Sequence, residues 1–228
     1  MSPENLTLAQ LLRQRPGVLE VLEAAGLSVW DASHLSLDIF CSRAGMDATE
    51  LLRKAKALPP PPADSDWKNI RLYRVADFLT LDHRHFREKD LPAFNRALKS
   101  ERAESYGMTF ASETFLSFQK HFIAHLEEEE NELFPYLLRL DEIFTFPQNK
   151  EYFTAPENPH RRGPPLTPDF EQHIDRLAVD AGRLPGREMQ EFRDRLIRHS
   201  KIETEALYPR LKRMEGQLAL DRLQGFVP

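Results

Sequence analysis

His125-Leu-Glu-Glu-Glu129-Glu-Asn-Glu-Leu133-Phe134-Pro135 is answered further along the chain by His199-Ser-Lys-Ile-Glu203-Thr-Glu-Ala-Leu207-Tyr208-Pro209. Both read H-x3-E-x3-L-[FY]-P. In a helix, residues four apart sit on one face, about 6 Å apart. Each copy therefore sets an imidazole beside a carboxylate. Two such helices facing each other make a His-Glu/His-Glu box inside a bundle, the construction that carboxylate-bridged di-iron and di-manganese sites use. The pattern decides for an all-α protein, a four-helix bundle preceded by a small helical N-terminal domain.

Working outward, four long helices are expected. The first covers about 71–100 and is disturbed near Pro92. The second covers 109–140, with Phe115, Phe118, Phe122, Leu126, Leu133 and Leu137 on its apolar side. A Pro- and aromatic-rich loop over 141–166 follows, too long for an ordinary helix connection. Thr167 caps a third helix with Pro168 at its first position, ending near Gly182. The fourth runs over about 186–214. Pro135 and Pro209 each remove a backbone donor, so each either bends its helix or ends it.

Upstream, Leu8, Leu11 and Leu12 have helical spacing, and Val18, Leu19, Val21 and Leu22 follow until Gly26 stops the helix. Ser33 or Ser36 starts a third short helix that ends at Gly45. Asp47 with Glu50 resembles a capping box opening a fourth. Pro59-Pro60-Pro61-Pro62 then favours an extended, semi-rigid linker. The expected divisions are 1–58 for the N-terminal domain, 59–69 for the linker, 70–216 for the bundle and 217–228 for a C-terminal tail.

Composition narrows the class. At 41% apolar residues the chain can build a core, and its mean hydropathy of −0.53 argues for a soluble protein. No run of 18 apolar residues exists, so no membrane span is expected. The N-terminus lacks the basic and apolar regions of a secretory signal. Cys41 is the single cysteine, so an internal disulfide is excluded and a cytoplasmic location is expected. A formal charge of −5 without a long basic stretch makes nucleic acid an unsuitable partner.

The eight histidines sort by position. His83, His125, His173 and His199 fall one on each expected bundle helix, and two of them have Glu at i+4. Buried His and Glu are costly unless partnered, and a metal pair supplies partners. Glu129 and Glu203 are expected to bridge, with His83 and His125 on one metal and His173 and His199 on the other. His121, one turn before His125, is an additional candidate. His85 points away from His83, His160 belongs to the solvated loop, and His34 to the surface or a cap. Within Glu127-Glu128-Glu129-Glu130, only Glu129 has the i+4 relation to His125. The other three read as a solvated acidic face, with Glu132 a candidate for outer support. Imidazole and carboxylate donors without thiolate suit iron, manganese or zinc, and two iron ions are expected.

The two H-x3-E-x3-L-[FY]-P segments, with Asp82-His83-Arg84 before them and Glu171-Gln172-His173 between them, resemble the hemerythrin-like cation-binding domain over about residues 70 to 215. The resemblance implies a four-helix bundle with a non-haem di-iron centre. The N-terminal stretches Thr7-Leu-Ala-Gln-Leu-Leu, Val18-Leu-Glu-Val-Leu-Glu-Ala-Ala-Gly26-Leu27, Leu35-Ser36-Leu37 and Gly45-Met-Asp47 resemble the small helical domain of the repair-of-iron-centres family. That family is associated with iron–sulfur cluster repair under nitrosative and oxidative stress.

Two departures stand out. Where the family has a Cys-Cys pair after its Gly-Leu segment, this chain has Ser28-Val29-Trp30-Asp31. Where the family has a further His near the end of the first bundle helix, this chain has Leu98-Lys99-Ser100-Glu101-Arg102-Ala103-Glu104. That leaves either an open coordination position or recruitment of His121, Glu101 or Glu104. The expected function is a di-iron protein handling NO, O2 or damaged iron centres, with iron–sulfur proteins as candidate partners. The alternative is a reversible O2- or NO-binding protein or sensor without turnover.

Overall fold

The structure, a computed structural model, describes residues 6–29, 32–101, 107–146 and 187–223. The expected third bundle helix at 167–182, His160, His173 and residues 147–166 of the expected 141–166 loop lie outside these residues, and where that loop was expected to begin the second helix instead runs on to Thr145. The chain is all-α. Among the described residues the one β feature is an isolated bridge between Thr7 and Ser36.

Four short helices come first: α1 (Leu8–Gln14), α2 (Val18–Ala24), α3 (Leu37–Ala44) and α4 (Ala48–Ala57). Their ends are set by local chemistry. Thr7 and Gln10 form a reciprocal capping box on α1. Of the two candidate serines it is Ser36 that caps α3, accepting from the Ile39 N–H. Gly45 closes α3 at φ 67°, in the left-handed region that glycine adopts without a Cβ penalty. Asp47 caps α4, but the box is half-formed, because the Glu50 side chain turns to Arg53 instead.

Three long helical rods follow. The first is α5 (Leu72–His85), a π-turn (Phe86–Asp90) and α6 (Leu91–Glu101). The second is α7 (Gly107–Glu128), a π-turn (Glu129–Leu133) and α8 (Phe134–Thr145). The third is α9 (Arg187–Ile202), a π-turn (Glu203–Leu207) and α10 (Tyr208–Leu223). The expected stop at Met214 is overrun, since Gly216 sits in open space and nothing there breaks the helix.

The prolines neither end nor simply kink these rods. Each follows a π-turn by one residue. The N–H groups of Leu91, Phe134 and Tyr208 reach back to the carbonyls of Phe86, Glu129 and Glu203, five residues earlier. Pro92, Pro135 and Pro209 come next. A proline has no N–H to return, and in an α-register its ring meets the carbonyl four residues back. The wider turn relieves that clash while the helix continues. Such turns are frequent at functional sites.

Two apolar clusters flank the middle of the bundle. One is rich in phenylalanine: Phe86, Phe94, Phe115, Phe118, Phe122 and Phe192 with Leu91, Leu126 and Leu196. The other joins the N-terminal helices to α5, α8 and the start of α10 in one continuous core. All six apolar positions expected on the second rod are buried. At about 1.5–3 kcal/mol for each fully buried large side chain, these clusters supply the main drive that holds the rods together. They also leave a polar layer between them.

The N-terminal helices are tied to the bundle by buried carboxylates as well as by packing. Asp77 of α5, fully buried, accepts from Arg15 Nε and from the Gly17 N–H, both at 3.1 Å. Glu142 of α8 accepts from Ser28 Oγ and from the Val29 N–H. The position where the resembled family carries its Cys pair is thus occupied by a hydrogen-bonded tie to the bundle.

Candidate metal centre

The polar layer gathers residues from all three described rods. His83 comes from α5, His125 and Glu129 from the end of α7 and its π-turn, and His199 and Glu203 from the end of α9 and its π-turn. His83, Glu129 and Glu203 are fully buried, and His125 and His199 nearly so. Ligand atoms of His83, Glu129 and His199 lie within 4.8 Å of one another, and so do those of His125, Glu129 and Glu203. Glu129 belongs to both groups.

The distances show how the groups interlock. His83 Nε2 is 3.3 Å from Glu129 Oε2, and His125 Nε2 is 3.7 Å from the same oxygen. His199 Nε2 is 2.6 Å from Glu203 Oε1, and His125 Nε2 is 3.9 Å from that oxygen. His83 and His125, expected on one metal, thus both approach Glu129 Oε2, while the three-residue group that contains His83 takes His199 as its second imidazole. α5 packs against α9, which brings the His83 and His199 rings to 5.0 Å between centroids. The partners proposed for His199 included His173, which lies outside the described residues.

Removing a charge from water costs several kcal/mol even after relaxation. Two carboxylates at this depth are stable only with cations around them. In the metal-free site the imidazoles of His83, His125 and His199 stand nearest to them. Burial pushes the Glu129 carboxyl up, but His125, His83 and His199 together hold it at about 2. Burial pushes the His199 imidazole down, but Glu203, Asp82 and Glu129 raise it to about 10. The site is a cage of opposite charges that a cation can enter by displacing protons.

The donor set fits a metal. His83 Nε2, Glu129 Oε2, both oxygens of Glu203 and His199 Nε2 are buried without a well-formed hydrogen bond among the described residues. All are nitrogen or carboxylate oxygen, the donors that suit iron, manganese or zinc. Aromatic rings wall the site. Phe134 stacks on His83 at 5.5 Å, and Phe86 meets His199 edge-on at 5.4 Å. They pack against the two imidazoles and restrict their ring planes.

Several residues lie where spacing placed them, and several do not. His121 is exposed, as is His34. His85 turns outward to Asp90, at 3.4 Å. Glu101 and Glu104, the acids considered for an open position, lie where no side chain is described. Glu127, Glu128 and Glu132 are exposed, but Glu130 is not part of a solvated face. Its Oε1 is 2.9 Å from His83 Nδ1 and 2.7 Å from Arg87. Burial pushes its carboxyl up, and His83 and Arg87 bring it below the usual range.

Two further neighbours lack an i+4 signature. Asp82 is buried, with Oδ2 3.8 Å from His199 Nδ1 and its carboxylate also approached by Arg198 and Arg195. Tyr208 directs its hydroxyl to Glu129 Oε1 at 3.4 Å. The [FY] position of the repeat was the sequence signal for Tyr208. For Asp82 and Glu130 the signal was an acid adjacent to a ligand candidate.

No helix among the described residues is long and apolar enough to cross a membrane. No curated protein and no solved structure matches the chain. The profile of the Hemerythrin HHE cation binding domain matches residues 74–211, which include every residue of the site described above. With more than half of its length so matched, the chain belongs to the hemerythrin HHE cation-binding family.

Proposed function

We propose that this protein carries a non-haem di-iron centre and uses it on NO, O2 or damaged iron centres in the response to nitrosative or oxidative stress. The observation that supports this reading most directly is Glu129, shared between two three-residue ligand groups in a buried, aromatic-walled layer. His83 and His199 would hold one ion with Glu129, and His125 and Glu203 the other, with His173 a further ligand candidate. Iron bound there supplies two adjacent centres that take up small diatomic molecules and exchange electrons with them. The protein's own residues would bind and orient the ions and give up the protons that the ions displace. The N-terminal helices resemble those of the repair-of-iron-centres family, which favours iron–sulfur proteins as partners. The single buried cysteine is in keeping with work in a reducing cytoplasm.

A second reading is a sensor that binds O2 or NO reversibly without turnover. It is favoured by the tie between Ser28, Val29 and Glu142. That tie replaces the family's thiols and couples the N-terminal helices to the bundle.

The test is metal content per chain with an optical spectrum, on protein purified without chelator. Two irons per chain and an absorption band lost in Glu129→Ala and Glu203→Ala are expected. No iron after anaerobic loading would overturn the di-iron reading. A stable, reversible O2 or NO complex with no protection of cluster enzymes would select the sensor.

A further inference from the structure

An imidazole has two nitrogens, and the partner of one decides what the other can do. His83 is fully buried and has a carboxylate at each end. Nε2 faces Glu129 at 3.3 Å, inside the site. Nδ1 faces Glu130 at 2.9 Å, outside it. Glu130 Oε1 is shared with Arg87 at 2.7 Å. The chain Arg87–Glu130–His83 therefore runs from the protein's flank to the ligand cage.

We propose that Glu130 is a positioning residue of the metal centre: it keeps a proton of His83 on Nδ1, so that Nε2 is the nitrogen presented to an entering ion, and passes to the imidazole a negative charge that Arg87 limits. The role rests on the di-iron reading. It makes the two imidazoles that would share one ion, His83 and His199, unequal. His199 has its own outer carboxylate in Asp82, but at 3.8 Å, and that carboxylate is drawn away by Arg198 at 3.4 Å. Of these two imidazoles, the one on α5 is the more strongly polarised, so it contributes more than His199 to favouring the ferric state of the ion they would share.

A simple structural salt bridge between α5 and the second rod would predict something different. Loss of either partner would then weaken folding alike and leave the loaded metals unaffected. The proposed role makes Glu130 and Arg87 act in opposite directions. An outer carboxylate makes the ligand a better donor and stabilises the ferric state, and the cation attenuates this. Outer partners of ligating histidines typically carry 10–100-fold in metal affinity.

The experiment uses the full chain, loaded with Fe(II) under anaerobic conditions, as wild type, Glu130→Gln, Glu130→Ala and Arg87→Gln. Affinity is read by chelator competition, reduction potential by spectroelectrochemistry, and metal-free folding by thermal melting. Glu130→Gln retains an oxygen that accepts the Nδ1–H, so its affinity should fall less than about 10-fold while its potential rises. Glu130→Ala should lose about 10–100-fold in affinity. Arg87→Gln should lower the potential. Should Glu130→Ala fail to fold, the Gln pair still decides. Potentials that are unchanged, or that move in the same direction in both Gln variants, would overturn the role alone. A wild-type chain that takes up no iron would overturn the di-iron reading, and this role with it.

Discussion

The hydroxyl of Tyr208 donates to Glu129 Oε1 across 3.4 Å, on the carboxylate that both ligand groups share. Phe134 holds the same register position in the other copy of the repeat, and stacks on His83 instead. Burial first, and then the charges of Glu129 and Glu203, push the Tyr208 hydroxyl far above its ordinary value, so it stays a donor. Tyr208→Phe should cost the metal-free chain about 1 kcal/mol, the usual net worth of one hydrogen bond. Denaturant unfolding measures this. A loss above about 3 kcal/mol would show that more than the hydrogen bond is removed.

The charge cage gives the metal-free and loaded chains different pH profiles. His199 is raised from 6.5 to about 10 in the folded, metal-free chain. Its contribution is therefore complete below pH 6.5 and lost as pH rises through about 10. Glu129 is lowered from 4.5 to about 2, so its contribution is present above pH 4.5 and lost as pH falls through about 2. Metal-free protein should melt at progressively lower temperature between pH 6.5 and 10. A ligating imidazole must be neutral, so the stabilisation by iron should grow over the same range. Melts of both forms across pH 5–10 check this. A flat metal-free profile would remove His199 from the cage.

Iron uptake should also release protons at neutral pH, because His199 is charged in the metal-free site. Titration calorimetry in two buffers of different ionisation enthalpy counts them. Uptake without proton release would mean that the ion does not displace the His199 proton.

Gly17 lies where no side chain fits. A Cβ there would stand 2.9 Å from Cγ and Oδ2 of Asp77. That carboxylate is fully buried and is the partner of Arg15. Gly17→Ala should destabilise the chain by about 1–3 kcal/mol through overpacking. Asp77→Ala should cost about 3–5 kcal/mol by leaving Arg15 without its carboxylate. Thermal and urea unfolding of both variants test the order. Equal stability of Gly17→Ala and wild type would show that Asp77 shifts freely and that the tie is loose.

The π-turns should matter for metal binding. Pro135→Ala and Pro209→Ala each restore a backbone N–H and remove the ring that excludes the α-register. A rod that relaxes to that register rotates Glu129 or Glu203 relative to the helix that follows. Metal affinity should fall at least tenfold in each variant, with helix content by circular dichroism unchanged. Unchanged affinity would show that packing alone holds the turns.

Much of the architecture was legible because it is local. The short N-terminal helices could be bounded from Gly26, Gly45 and Asp47, with Ser33 and Ser36 both open as the start of the third, since caps act within one turn. The buried phenylalanines of the second rod follow from helical spacing. The π-turns were less legible, although three long helices each running through an apolar–Pro pair at Leu91-Pro92, Phe134-Pro135 and Tyr208-Pro209 were a signal. A helix that continues past a proline must widen or bend before it.

The sequence by itself determined that His125 and Glu129, and His199 and Glu203, share a helix face, because an i+4 offset is a property of one helix. It could not say which imidazoles would meet across the bundle. Tertiary packing decided that, setting His83 beside His199 because α5 lies against α9. It also turned Glu130, five residues from His125 and so off its stripe, into the partner of His83. Contacts within a helix are fixed by its pitch. Contacts between helices depend on how the phenylalanine and leucine layers seat the rods against one another, and no single segment carries that information.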